Sequence, residues 1–131
     1  MKTFELAGRD VEPVDPANFT GGGTLVRMTG VSQAPNVNAY RVTFEPGART
    51  AWHTHTGPQL LLVTEGTCRC QTDGGAIEEV AAGGLVSFEP GERHWHGATP
   101  EEPMTHVAIN IEASTTWLDQ VSDEEYVGSS G

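Results

Sequence analysis

A chain of 131 residues suits one folded domain, because two independent hydrophobic cores would need more length. Its 7 Lys and Arg against 18 Asp and Glu give a formal charge of −11, which excludes a phosphate-gripping surface for nucleic acid and adhesion to anionic membranes. With 16 Gly, 8 Pro and 19% charged residues the composition leans to turns and sheet, and 2 cysteines cannot make a disulfide scaffold.

Residues 1–13, MKTFELAGRDVEP, hold no apolar run long enough for a signal peptide, and no stretch of 18 apolar residues follows. A soluble cytoplasmic protein, one domain over 1–131, is expected. Dense punctuation follows: Gly21-Gly22-Gly23, Ala34-Pro35-Asn36, Pro46-Gly47, Thr56-Gly57-Pro58, Asp73-Gly74-Gly75, Gly83-Gly84 and Pro90-Gly91. Between these breaks lie short β-branched and aromatic runs at 24–29, 38–45, 49–55, 59–64, 67–72, 76–80, 85–89, 93–98 and 104–111. Many short strands at such spacing predict an all-β sandwich or barrel with its core at about 23–112.

Strand parity sharpens that expectation. In 38–45, Tyr40, Val42 and Phe44 share one face and Arg41, Thr43 and Glu45 the other, as in a half-buried antiparallel strand. In 104–111, His106, Ala108 and Asn110 face one way, and Val107, Ile109 and Ile111 the other. Asp73-Gly74 predicts a two-residue hairpin turn. Residues 117–126 are expected to form a short terminal helix, with Ser122 and Glu125 at capping-box spacing. Cys68 and Cys70 read as ordinary buried thiols, and Gly128 to Gly131 as too small and polar to carry structure.

All 5 histidines lie between residues 53 and 106. His53-Thr54-His55 ends an extended run, and strand alternation points both imidazoles to one side. Gln59 follows after the turn Thr56-Gly57-Pro58, and His94 and His96 make a second same-face pair. A divalent cation needs lone pairs converging at about 2.0–2.2 Å, from neutral imidazoles and oxygen donors. Two adjacent strands supplying His-x-His and Gln, with one His from a distant strand, would provide four such donors inside a barrel.

Written out, the first segment is Gly47-x5-His53-x-His55-x3-Gln59-x6-Gly66, and the second brings Gly83, Gly91 and His94 after 16 residues. The two segments resemble the paired motifs of the cupin superfamily, whose fold is a double-stranded β-helix or jelly-roll barrel. Three positions depart from the usual pattern: Gln59 stands where a Glu is usual, Glu89 precedes a displaced Pro90, and Ala98 replaces an Asn. The runs Val42 to His55, His94-Trp95-His96-Gly97-Ala98 and Met104-Thr105-His106 are similar to small bacterial cupins with manganese-dependent hydroxynitrile lyase activity.

That resemblance implies metal ligation by His53, His55, Gln59 and His94, with Tyr40, Val42, His96, His106 and Asn110 lining the cavity. Tyr40 and Asn110 depart from the residues expected at those places. Mn(II) is the metal implied, while affinity ordering would let Fe, Ni or Zn occupy the same donors. Three imidazoles and an amide leave the cation's charge uncompensated, which suits it to polarising oxygen. For cyanohydrin cleavage, His106 or His96 would take the hydroxyl proton, and the other histidine or Tyr40 would protonate the departing cyanide. The alternatives are an Fe(II) dioxygenase using O2 and a non-catalytic module that binds a small molecule. The outward row Val107, Ile109 and Ile111 needs cover, which leads to the expectation of a homodimer or a dimer of dimers.

Overall fold

The computed structural model describes residues 1–128, so the expectation for Ser129, Ser130 and Gly131 lies outside the described residues. The first strands are β1 (Glu12–Pro13), β2 (Phe19–Thr20), β3 (Gly23–Gln33), β4 (Asn36–Phe44), β5 (Arg49–Thr50) and β6 (His53–His55). Then come β7 (Gln59–Glu65), β8 (Thr67–Thr72), β9 (Glu78–Ala81), β10 (Leu85–Phe88), β11 (His94–Ala98), β12 (Met104–Ile111) and β13 (Thr115–Trp117), closed by the helix α1 (Asp123–Val127).

Two antiparallel sheets enclose one core, the barrel that alternation and spacing predict. The first runs in the order β1-β3-β4-β12-β7-β10. The second centres on β11, with β5 and β6 along one edge and β8 then β9 along the other, while β2 extends from β5 and β13 from β6. Inward-facing Val42, Phe44, Leu61, Val63, Met104 and Ala108 meet Cys68, Cys70 and Ala98 from the opposite sheet. Phe44, Leu61, Cys68, Ala98 and Met104 each have 0% exposure, so the interior is close-packed here. The two cysteines are free and buried.

Register places the site. His106 on β12 lies between Val42 of β4 and Val63 of β7, while Asn110 lies between Asn38 and Gln59. His94 on β11 pairs directly with His53 on β6. Gly97 permits the close approach of β5, since a Cβ there would stand 2.3 Å from the Ala48 carbonyl oxygen and 2.6 Å from Arg49 Cα.

Behind β11 a second, smaller core forms from Trp52, Trp95, Val121 and Tyr126. Alternation turns Trp95 away from the barrel interior while His94 and His96 face into it. The C-terminal segment is held there by Arg49, whose Nη2 donates to the Val121 carbonyl at 2.6 Å and to Asp123 at 2.9 Å. The Arg49 guanidinium also sits 4.7 Å from the Tyr126 ring centre.

Four sequence expectations are corrected. The run 49–55 splits into β5 and β6, because the Trp52 backbone turns to bond Asp119 and Leu118 of the C-terminal segment. The helix expected over 117–126 occupies only Asp123–Val127; Trp117 instead ends β13, paired with His53. The capping box between Ser122 and Glu125 is present. Asp73-Gly74 does turn the chain, with Gly74 at φ 84°, but Cys70 pairs with Glu78, so the connection is longer than two residues. The run expected at 76–80 starts later, at Glu78. Among the described residues no helix is long and apolar enough to cross a membrane.

Candidate metal centre

All five histidines are buried, with 0% to 5% exposure. Backbone carbonyls set the tautomer of two of them. His53 Nδ1 lies 2.8 Å from the Ala51 oxygen and His94 Nδ1 2.9 Å from the Glu92 oxygen. A carbonyl can only accept, so in both rings Nδ1 carries the hydrogen. Burial drives both pKa values down, His53 well below the ordinary imidazole value and His94 to about 4. Both rings are therefore neutral near pH 7, with a bare lone pair on Nε2.

His55 is tied differently, its Nδ1 lying 2.9 Å from the Thr115 hydroxyl. Its Nε2 is buried and makes no hydrogen bond, with the Gln59 side chain close by. Burial lowers its pKa, partly offset by the neighbouring Gln59 side chain.

Gln59 completes the arrangement. Its Nε2 donates to Asn110 Oδ1 at 2.9 Å, which leaves Oε1 directed at His94 Nε2 at 3.1 Å. Two lone-pair atoms thus face each other in a buried space, an unfavourable contact unless a proton or a cation lies between them. Since burial disfavours the protonated ring, a cation fits this donor set. Donor nitrogens from His53, His94 and His96 lie within 4.8 Å of one another, so this three-histidine group can hold a metal ion.

The expected ligands His53, His55, Gln59 and His94 border the same space, with the His55 ring 4.9 Å from that of His53 and 5.4 Å from that of His94, and His96 lies beside them. The structure brings Gln59 within reach of both His55 and His94.

His96 and His106 form a separate pair, with His106 Nε2 3.0 Å from His96 Nδ1. One shared hydrogen joins them, and the outer atoms His96 Nε2 and His106 Nδ1 are buried without partners. Burial lowers both pKa values, His106 to about 4, with the neighbouring His106 adding to the effect on His96. An ordinary imidazole value near 6.5, the premise of the sequence argument, does not hold in this space.

A cavity of about 450 Å³ opens beside these groups. His53, His55, Gln59, His96, His106 and Asn110 line it together with Tyr40, Val42, Phe44 and Ala108. Sequence reasoning missed the mouth, where Glu12, Asp15, Phe19, Arg27 and Trp117 contribute. Two-residue strands leave no periodic pattern to read, and the segment holding Trp117 reads locally as a helix. The Trp117 ring stands 4.7 Å from that of His53. Arg27 bonds Glu12 at 2.8 Å and lies 5.8 Å from the Tyr40 ring centre.

Comparison with known proteins agrees with this architecture. A family model described as the cupin domain matches residues 40–110. The (R)-mandelonitrile lyase of Granulicella tundricola is 49% identical over 130 residues, covering 94% of this chain and 97% of its own. The crystal structure of a cupin-like protein from Thermotoga maritima superposes with a TM-score of 0.81 at 34% identity, over 96% of this chain and 95% of its own. Oxalate decarboxylase from Bacillus subtilis shares the fold alone, with a TM-score of 0.72 at 20% identity, over 88% of this chain and 31% of its own.

Proposed function

The chain belongs to the cupin family, and on that premise we propose that it is a metal-dependent lyase that cleaves, or in reverse forms, cyanohydrins. The observation that carries the reading is the facing pair His94 Nε2 and Gln59 Oε1, two buried lone pairs beside the His96–His106 dyad. The relative named (R)-mandelonitrile lyase supports the choice of reaction.

His53, His55, Gln59 and His94 would hold the ion, with His96 adjacent; Mn(II) is the cation we favour, and Fe, Ni or Zn would compete. When bound, such a cation supplies Lewis acidity that brings a substrate hydroxyl within reach of a weak base. The dyad supplies that base. Of its two unpartnered outer nitrogens, His106 Nδ1 and His96 Nε2, one carries the ring hydrogen of the neutral pair and the other is free to take up a proton. As the hydroxyl proton moves to the dyad, the oxygen forms a double bond to carbon. The carbon–cyanide bond breaks, and its electron pair leaves with cyanide. The dyad then returns the proton to cyanide, so aldehyde and hydrogen cyanide depart and the histidines regain their neutral form. Val42, Phe44, Phe19 and Trp117 supply an apolar wall for the substrate's hydrocarbon body, and the Tyr40 hydroxyl is a second hydrogen-bonding group.

Stripping the protein with a chelator, reloading it with Mn(II) and assaying cyanide release from mandelonitrile tests this reading. Release should require reloading and proceed equally without oxygen. No release from the loaded protein, or oxygen uptake coupled to turnover, would reject it, and oxygen uptake would favour a dioxygenase. We also propose a homodimer through the outward face of the first sheet, where Leu62 and Leu85 are 38% and 65% exposed next to Val107 and Ile109. Light scattering should return at least twice the chain mass.

A further inference from the structure

Gln59 offers two chemically opposite ends to the histidine cluster. Its carbonyl oxygen can ligate a cation; its NH2 group cannot, and would instead donate a hydrogen bond to a bare imidazole nitrogen. The two ends are nearly equal in size, so packing does not choose between them. A partner must. Asn110 is that partner: it lies directly across the ladder from Gln59, and its Oδ1 accepts from Gln59 Nε2 at 2.9 Å. Both side chains are buried, with 4% and 8% exposure, so water competes little for the bond. With the NH2 end so held, the oxygen is left 3.1 Å from His94 Nε2, whose lone pair is exposed because Nδ1 is committed to the Glu92 carbonyl.

We propose that Asn110 is a positioning residue that presents the Gln59 carbonyl oxygen to the metal. Turning the Gln59 carboxamide over would place its NH2 on His94 Nε2 and seal the centre with a hydrogen bond in place of an ion. Asn110 opposes that state only while its own oxygen faces β7, because its NH2 group could stabilise the reversed arrangement. An aspartate at 110 can only accept, so it would favour the open arrangement more strongly than asparagine does. The proposal rests on the reading of Gln59 as a metal donor, and it deepens that reading by naming what fixes the donor's orientation.

The test is Mn(II) affinity of the metal-free protein, read from the paramagnetic resonance signal of unbound ion during titration. Asn110→Ala is expected to weaken binding on the order of tenfold or more, the usual effect of losing a group that orients a ligand. Asn110→Asp should bind at least as tightly as the parent. In a Gln59→Ala background, Asn110→Ala should have no further effect, because the group it orients is gone. Asn110→Leu preserves volume and should behave as Asn110→Ala, which covers the case of a variant that folds poorly. If Gln59→Ala weakens binding and Asn110→Ala does not, the positioning role is overturned and the ligand stands. Equal weakening by Asn110→Ala in both backgrounds also overturns it, since the residue would then act without Gln59. If Gln59→Ala binds as tightly as the parent, the ligand assignment itself is wrong and the proposal falls with it.

Discussion

The two ends of the barrel interior are built on the same strands and do opposite things. Along β12 the inward side chains run Met104, His106, Ala108, Asn110; along β11 they run Ala98, His96, His94; along β7 they run Val63, Leu61, Gln59. β11 and β7 each pass from hydrocarbon to donor without changing parity, and β12 does so with Ala108 set between its two donors. Backbone geometry decides which residues face inward, and residue identity alone decides what that end of the barrel is for. The hydrocarbon end supplies stability: fully burying a Leu or Met contributes about 1.5–3 kcal/mol. The donor end draws on it, because each buried polar atom without a partner costs about 1–3 kcal/mol. His55 Nε2, His96 Nε2 and His106 Nδ1 are such atoms. Hydrocarbon also sets the chemistry next door, since desolvation keeps the imidazoles neutral and their lone pairs available.

If the division is real, substitutions at the two ends should separate. His106→Ala should lower cyanide release by about 10²–10⁴-fold while leaving Mn(II) content intact, because His106 lies outside the three-histidine group. Loss of the metal with that change would make His106 a ligand and blur the boundary. His96→Ala should likewise lower release with metal content intact; loss of the metal would make His96, whose ring nitrogen lies within 4.8 Å of donors on His53 and His94, a ligand.

Among the hydrocarbon residues, Leu61→Ala and Met104→Ala should each destabilise the fold by about 2–5 kcal/mol in denaturant titration, from lost transfer energy plus a cavity. Both side chains have 0% exposure. Mn(II) affinity should stay near that of the parent in these variants. A proportionate fall in affinity would show that the two ends are one mechanical unit.

Acid gives a graded effect. His94 and His106 have pKa values near 4 in the folded state, against about 6.5 when unfolded. Between those values the unfolded chain binds more protons, so stability falls as pH drops from about 6.5 towards 4 and levels off below. Each group contributes up to about 1.4 kcal/mol per pH unit in that window. Metal-free protein should show this decline by denaturant titration at successive pH values. A flat profile across the window would mean that these rings already bind protons in the folded state.

Much of this division could be read from the sequence. The alternation of Tyr40, Val42 and Phe44, and of His106, Ala108 and Asn110, announced which face of each strand would be inward. The His-x-His spacing placed His53 and His55 on one side for the same reason. What parity could not give was depth and partners. His94 and His96 share a face, but only the register of β11 against β6 sets His94 opposite His53. The mouth of the cavity depends on β1 and β2, too short to leave a period, and on Trp117, whose strand pairing with β6 is a long-range contact. The same local sequence reads as a helix start when its partner strand is unseen.

Gln59→Glu tests the electrostatic side of the comparison with the smallest perturbation, one atom group on an otherwise unchanged strand. A carboxylate at 59 would still offer oxygen to His94 and His55, so metal binding should persist and tighten. Asn110 would have to present its NH2 group rather than its oxygen, because two acceptors cannot share the 2.9 Å contact that now joins the side chains. The added negative charge offsets part of the cation's field, so cyanide release should slow on the order of tenfold. Faster turnover would mean that product release, eased by a weaker field, limits the rate. The neutral donor set would then serve binding of the hydroxyl rather than cleavage of the carbon–carbon bond.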